Sequence, residues 1–164
     1  MIRKIENLII PEKYDYVRGK KPKVECILCE YTKGSNKVSR LEIKRGKYMI
    51  IGANLYPYNP GHILIFPIKH INDVRELDSD EWAELINFQN DSLEVLERLY
   101  SPSGFNIGFN IGTASGASIV HLHLHIVPRY KSETGFMDII SGTRTYVEDP
   151  IKTMERLKKA FSEL

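Results

Sequence analysis

The sequence predicts an α+β fold, and three patterns along the chain support that prediction. Two apolar segments, 48–53 and 62–67, have the composition of buried strands. A helical periodicity follows over 78–100, and two segments with the two-residue alternation of strands, 105–111 and 121–126, come after it. Strands combined with one long helix are typical of a single α+β domain, and 164 residues suffice for one buried core.

The composition indicates a globular protein and excludes several functional classes. Lys and Arg number 23 against 21 Asp and Glu, so we expect no nucleic-acid partner. No apolar run approaches the roughly 20 residues of a membrane span, so we expect no membrane partner. The first residues lack the long apolar stretch that is typical of a secretory leader, and two cysteines cannot form a disulfide framework. We therefore expect a cytoplasmic protein whose thiols stay reduced.

Two helices can be bounded from local signals. Asp78 has the position of an N-cap and Glu81 that of its capping-box partner, and this helix should end near Tyr100. A C-terminal helix is expected to start at Asp149 and Pro150. The side chains expected to face the core are Trp82, Leu85, Ile86, Leu93 and Leu96 in the first helix and Ile151, Met154, Leu157 and Phe161 in the second.

The chain divides, on these patterns, into three parts. Residues 1–23 hold several lysines and few apolar side chains, and we interpret them as an N-terminal arm. Residues 24–130 form the domain that contains the predicted strands and the long helix. Residues 131–164 are a C-terminal extension whose helix is expected to pack on the same domain.

Histidines at 121, 123 and 125 alternate with aliphatic residues. In a strand this alternation would place all three imidazoles on one face and the aliphatic side chains in the core. The face could be solvated, could bind zinc through the three rings, or could bind an anion. The glycine-rich, hydroxyl-bearing loop 112–118 favours the anion, because its N–H groups can be directed at a phosphate. A histidine could then attack phosphorus and form a covalent intermediate.

Cys26 and Cys29 form a CxxC pair near the start of the domain. Considered alone, the pair could be two small buried side chains, a redox pair or half of a metal site. The surrounding sequence lacks the βαβ pattern of a thioredoxin-like redox protein. The spacing therefore leaves buried thiols and a metal site as the main alternatives.

Residues 121–129 (HLHLHIVPR) resemble the signature of the histidine-triad family of nucleotidyl hydrolases and transferases. Segments 54–62 and 110–118 occur in the order and spacing of that family, and the resemblance extends from about residue 26 to 129. It implies a compact fold with a largely antiparallel sheet, and a homodimer. Segment 54–62 (NLYPYNPGH) and the tail 135–142 resemble the branch that phosphorolyses diadenosine tetraphosphate.

The resemblance implies roles for individual side chains. His123 corresponds to the nucleophile that attacks the α-phosphorus. His125 corresponds to the residue that contacts the α-phosphate and assists the leaving group, and His62 lies close to the triad in the family. The nucleotide-binding positions that the resemblance implies are Asn54 for the ribose and Asn110, Gly116 and Ser118, with His125, for the phosphates.

The resemblance also implies a metal and a partner copy. His70 and His121 match the positions that complete a zinc site in zinc-binding branches, so a closed structural zinc is expected at Cys26, Cys29, His70 and His121. No catalytic metal is implied, although Mg²⁺ could accompany the nucleotide substrate. Arg144 in the tail is a candidate to reach the site of the partner subunit.

The activity implied is cleavage of a dinucleoside polyphosphate through a nucleotidyl-histidine, and phosphate as acceptor would give ADP and ATP. Family hydrolases carry Gln where this chain has Ala117, which favours an acceptor other than water. Hydrolysis of dinucleoside polyphosphates or nucleoside phosphoramidates is the alternative within the same chemistry. A zinc hydrolase that uses the three histidines as ligands, or a nucleotide-binding module without turnover, are alternatives of other classes.

Overall fold

The computed structural model describes residues 22–131 and 148–164, and a five-stranded sheet lies at its centre. The strands follow the order β1-β2-β3-β5-β4, and all neighbours are antiparallel. The elements are α1 (Ile27–Thr32), β1 (Glu42–Arg45), β2 (Met49–Ala53), β3 (Ile63–Pro67), α2 (Ser79–Tyr100), β4 (Gly104–Phe109), β5 (Leu124–Arg129) and α3 (Pro150–Phe161). The predicted α+β fold with an antiparallel sheet is confirmed.

The two faces of the sheet carry different layers because side chains alternate along each strand. Every residue of β2 is buried. Ile51 and Ile65 pack with the side chains of α2 and α3 in the larger core cluster. Ile50 and Phe66 pack with α1 in the smaller cluster on the other side. The side of the sheet that α1 covers also holds the functional site.

Helix α2 begins and ends where the sequence predicted. The Asp78 side chain accepts the backbone N–H of Glu81, and the Glu81 carboxylate accepts that of Asp78, which is the predicted capping box. Leu85 and Leu96 are buried as expected. Ile86 is 44% exposed, contrary to the prediction. The buried face of this helix runs through Leu85 and not through Ile86.

Helix α3 packs against β1, β2 and α2. It has the predicted N-cap, since the Asp149 carboxylate accepts the backbone N–H of Ile151. The prediction that the Ile151 side chain faces inward is wrong, because that side chain is 52% exposed. The buried face instead runs through Thr153, Leu157, Ala160 and Phe161, the spacing of one helix face.

The segment 121–126 differs most from its predicted structure. Strand β5 begins only at Leu124, so His121 and His123 precede it. The backbone N–H of Leu122 donates to the carbonyl of Ile71 and not to a neighbouring strand. The three histidines therefore do not lie on one strand, and the sequence prediction on this point is wrong.

Some predicted features lie outside the described residues. These are the arm up to residue 21, the tail 135–142 and Arg144. The domain boundaries at residues 23 and 130 stay a prediction. Within the described ranges, no helix combines the length and the apolar character that crossing a membrane requires.

Candidate nucleotide-binding active site

A cavity of about 610 Å³ opens on the side of the sheet that α1 covers and reaches His123 and His125. Most of its wall is apolar and comes from α1, β2, β3 and the segment that leads into β1. Of the predicted nucleotide-binding residues, Asn54, Ser118 and His125 line the cavity. Asn110 and Gly116 are not among its lining residues, so the structure does not bring all the predicted contacts together.

His123 is held in one tautomer. Its Nδ1 lies 2.7 Å from the backbone carbonyl of His121. A carbonyl can only accept, so Nδ1 carries the proton and Nε2 keeps its lone pair. The side chain is 5% exposed and lines the cavity. Nε2 of His123 is therefore available as a nucleophile on the cavity side of the protein.

The tautomers of His62 and His125 follow from a chain of hydrogen bonds. The backbone N–H of Tyr58 donates to Nδ1 of His62 over 3.0 Å, so this nitrogen is unprotonated. Nε2 of His62 then carries the proton and donates to Nδ1 of His125, also over 3.0 Å. Nε2 of His125 must hold the remaining proton. That atom is buried and has no hydrogen-bond partner among the described residues.

Burial keeps these rings neutral in the ligand-free protein. Burial, followed by the charges of His125 and His123, lowers the pKa of His62 to about 3. Burial and the charge of His123 lower the pKa of His125 to about 4, and burial also lowers the pKa of His123. At neutral pH His125 therefore offers a neutral N–H donor.

Lowering the pH should therefore destabilise the fold. In the unfolded chain His62 and His125 titrate near pH 6.5, whereas the folded chain resists protonation until about pH 3 to 4. The stability that these neutral rings contribute is complete above pH 6.5 and is lost as the pH falls toward 4. We expect each ring to lower the unfolding free energy by up to about 1.4 kcal/mol per pH unit in this window.

Urea unfolding at pH 7.5, 6.5 and 5.5, with metal chelated throughout, measures this dependence. His62→Gln serves as the matched variant, because it removes one titrating ring and should make the slope shallower. A free energy of unfolding that is flat or rises toward pH 5.5 would contradict the burial of neutral histidines.

The turn before His62 fixes its position. Gly61 has φ +78°, and a Cβ there would lie 3.1 Å from Leu96 and 3.2 Å from Pro128. Only glycine fits this backbone conformation in so narrow a space. The buried Asn59 side chain donates to the carbonyl of Pro128 over 2.7 Å. The turn is thus attached to β5, next to His125.

Two features of this site were missed by the sequence reasoning. The ring of Tyr58 stacks on His62, with centroids 5.0 Å apart and an interplanar angle of 17°. Gly108 pairs with His125 across β4 and β5, and none of the described residues beyond its chain neighbours comes within 4 Å of where its Cβ would lie. Strand pairing carries no local sequence signal, so the cleared space beside His125 could only be found in the structure.

Loop 112–118, in which the phosphate contacts were predicted, reaches the cavity at one end. Gly112 and Gly116 have φ values of +80° and +87°, which L side chains rarely adopt. In residues 22–131 and 148–164, no atom beyond the chain neighbours lies within 4 Å of the Cβ position of either glycine. Ser118, at the end of the same loop, lines the cavity with His123 and His125. The loop therefore approaches the site at Ser118.

Four potential metal ligands form a second cluster, separate from the cavity histidines. The donor atoms of these residues all lie within 4.8 Å of one another. Nδ1 of His121 lies 3.4 Å from Sγ of Cys26 and 3.6 Å from Sγ of Cys29. Nδ1 of His70 lies 3.2 Å from Sγ of Cys29. Tetrahedral zinc would separate its ligand atoms by roughly 3.3–3.8 Å, so Cys26, Cys29, His70 and His121 fit a metal ion.

A hydrogen bond and burial hold the His121 ring in the form that binds a metal. Its Nε2 lies 3.0 Å from the carbonyl of Pro67, so Nε2 donates and Nδ1 keeps the lone pair directed at the thiols. Burial lowers the pKa of His121 to about 4, which keeps the ring in its neutral, metal-binding form. Among the described residues, the cluster close enough to hold a metal includes His121 but neither His123 nor His125. The zinc site made by the three histidines is therefore not formed.

A family model described as HIT domain matches residues 36–132. The chain is 40% identical over 105 residues to an AP-4-A phosphorylase from Mycobacterium tuberculosis, covering 63% of this chain and 54% of that protein. It is 31% identical over 96 residues to a bis(5'-nucleosyl)-tetraphosphatase (asymmetrical) from Schizosaccharomyces pombe, covering 58% of this chain and 53% of that protein. The chain thus spans about half the length of both relatives.

The fold also matches solved structures. A zinc-bound histidine-triad family protein from Mycobacterium smegmatis superimposes with a TM-score of 0.69. The match covers 85% of this chain and 94% of that chain at 21% identity. At this identity the similarity shows the common fold alone.

Proposed function

The chain belongs to the histidine-triad (HIT) family, and from this premise we propose that it cleaves dinucleoside polyphosphates, diadenosine tetraphosphate above all, with inorganic phosphate as acceptor. His123 receives the nucleotidyl group in the first step, and phosphate removes it in the second. The observation that carries the proposal is the 2.7 Å hydrogen bond from Nδ1 of His123 to the carbonyl of His121. That bond leaves the lone pair of His123 free at a cavity that His125 also lines.

In the first step Nε2 of His123 attacks the α-phosphorus. A P–N bond forms while the P–O bond to the departing nucleotide breaks. The ring then bears positive charge, because both of its nitrogens are substituted. The carbonyl of His121 accepts a hydrogen bond from the Nδ1–H throughout and stabilises this charge.

His125 assists departure through its Nε2–H. This buried donor has no partner among the residues that the structure describes, so it can bind an oxygen on which charge grows in the transition state. The departing nucleotide leaves as a phosphate anion and needs no proton at neutral pH. His62 acts as a positioning residue, because its hydrogen bond fixes the tautomer of His125.

In the second step an acceptor oxygen attacks the same phosphorus. The P–N bond breaks, and His123 leaves as a neutral imidazole because its proton has remained on Nδ1. Phosphate as acceptor is supported by Ala117, which stands where family hydrolases carry Gln. It is also supported by the 40% identity to a protein named AP-4-A phosphorylase.

The cavity offers a separate environment to each part of a nucleotide. Its apolar wall suits a base, and Asn54, which lines the same cavity, serves as a ribose contact. Ser118 reaches the cavity as a phosphate contact, and we retain Asn110 and Gly116 as further phosphate contacts. Mg²⁺ would accompany the polyphosphate, since hard divalent cations bind phosphate oxygens.

The metal cluster is proposed to hold a structural zinc. Its two thiols and two imidazoles fill all four tetrahedral positions, so a bound zinc would connect α1 to the segments before α2 and β5 and would leave no site for substrate. Reduced thiols are needed, which suits a cytoplasmic location. We also propose a homodimer, supported by edge strand β4, where Ile107 is 41% exposed.

Product analysis tests the proposal. Purified protein should convert diadenosine tetraphosphate to ADP and ATP only when phosphate is supplied, and ³²P from labelled phosphate should appear in ADP. Formation of AMP and ATP, independent of phosphate, would show hydrolysis and overturn phosphate as the acceptor. Absence of turnover with saturable nucleotide binding would indicate a binding module.

A further inference from the structure

We propose that the Tyr31 hydroxyl selects the base by donating a hydrogen bond to a ring nitrogen of a purine in the cavity. The inference rests on the proposed function, because it assumes that a nucleotide occupies this cavity. The proposed contact determines specificity for the base, and it lies at the end of the cavity where α1 forms the wall.

The first observation is a buried donor that lacks an acceptor. Tyr31 is only 6% exposed, and its hydroxyl has no hydrogen-bond partner among the described residues. Leaving such a group unpaired in the interior costs free energy, so an unpaired hydroxyl needs an explanation. Within the described part of the chain, the other buried side-chain atom in this condition is Nε2 of His125, and both residues line the same cavity. One ligand that extends along the cavity could satisfy both donors.

The second observation is the way Tyr31 is positioned. Its ring packs edge-on against Phe66, with centroids 5.1 Å apart. The hydroxyl lies close to Gly52, where an added Cβ would be 2.9 Å from the oxygen. Glycine at this position leaves room for the hydroxyl, and Gly52 itself lines the cavity. The phenol is thus held rigidly at the cavity wall.

The chemistry of the hydroxyl indicates what it binds. Burial raises the pKa of Tyr31, so the group stays protonated and can donate. What the group lacks is an acceptor. In an otherwise apolar pocket, the ring nitrogens of a purine are acceptors on a flat surface that the walls can cover.

Binding of AMP to the wild type and to Tyr31→Phe, measured by calorimetry, tests the inference. Removing only the hydroxyl should weaken AMP binding by about 3- to 10-fold, the usual effect of one neutral hydrogen bond. The melting temperature of the ligand-free variant should stay the same or rise, because an unpaired buried group has been removed. A purely structural role of the hydroxyl would lower the melting temperature.

Purine analogues identify the acceptor. In 1-deaza-, 3-deaza- and 7-deaza-AMP, one ring nitrogen at a time becomes C–H. One of the three should bind the wild type more weakly by a similar factor, and Tyr31→Phe should bind that analogue and AMP equally well. If all three analogues lose affinity equally in both proteins, the hydroxyl does not contact the ring.

Tyr48→Phe is the matched control, because the Tyr48 hydroxyl contacts Asp80 at 3.4 Å and does not line the cavity. It should bind AMP as the wild type does. Unchanged AMP affinity in Tyr31→Phe overturns this inference but leaves His123-dependent turnover, and hence the proposed function, intact. If the wild type binds no AMP and cleaves no dinucleotide, the proposed function fails, and this inference fails with it.

Discussion

Replacing His123 with alanine is expected to lower kcat for diadenosine tetraphosphate by about 10⁴-fold or more. The covalent route requires a nucleophile at this position. Because Nδ1 of His123 donates a hydrogen bond to the carbonyl of His121, the lone pair of Nε2 is free to attack. AMP should still bind, since the apolar wall of the cavity is unchanged. The measurement is steady-state turnover by chromatography of the nucleotide products.

The variant His125→Ala distinguishes the role of His125 from that of the nucleophile, His123. His125→Ala removes the unpartnered donor but leaves His123 in place, so we expect a smaller loss of kcat, about 10²- to 10³-fold. Mass spectrometry after a denaturing quench at neutral pH should find AMP bound to the wild type and none bound to His123→Ala. Turnover within about tenfold of the wild type in His123→Ala would show that the reaction does not pass through this residue.

The features of the fold that the sequence predicted correctly depend on local interactions. The capping box of Asp78 and Glu81 and the N-cap of Asp149 involve residues within three positions of one another, so the pattern alone located both helix starts. The exposed positions of Ile86 and Ile151 were missed because apolarity does not reveal which face of a helix meets the sheet. The six-residue α1 was missed because it is too short to show a periodicity.

The histidine segment shows where local pattern reasoning fails. The alternation from 121 to 126 continues through the point where the backbone joins the sheet, so composition could not locate the start of β5. Contacts distant in sequence, such as that from Leu122 to Ile71, determine where the strand begins. They also place His121 at the thiols and His123 at the cavity.

The sequence could name several side chains that the structure brings together, but it could not give their chemical state. The resemblance named His62, His123 and His125, and the structure places the last two at one cavity with His62 bonded to His125. The lowered pKa values arise from burial, which a sequence does not show. Tyr31 was missed for the same reason, since an unpaired hydroxyl can be recognised only when its surroundings are known.

Removing the zinc that we propose at the metal cluster is expected to cause a large loss of stability. A bound ion would link Cys26 and Cys29, at the start of α1, to His70 and His121 from distant parts of the chain. At a free metal concentration 1,000-fold above the dissociation constant, binding contributes about 4 kcal/mol to the free energy of unfolding. For a chain of this size we expect the melting temperature to fall by roughly 8–16 °C on chelation.

Thermal unfolding with and without a chelator, together with metal analysis of the purified protein, measures this effect. Cys29→Ala removes one ligand, so its melting temperature should already be low and should hardly respond to chelator. Glu94→Ala, an exposed change on α2, is the control and should respond as the wild type does. A chelator that strips one equivalent of zinc without moving the melting temperature would refute the structural role.

The effect on catalysis distinguishes a structural metal from a catalytic one. His121 contributes its side chain to the metal cluster and its carbonyl to the hydrogen bond that orients His123. Loss of metal should therefore make the orientation of His123 less fixed and lower kcat. The decrease in kcat should be much smaller than in His123→Ala. Both should be measured well below the lowered melting temperature. Complete loss of activity in a chelated protein that remains folded would instead show that a metal takes part in every turnover.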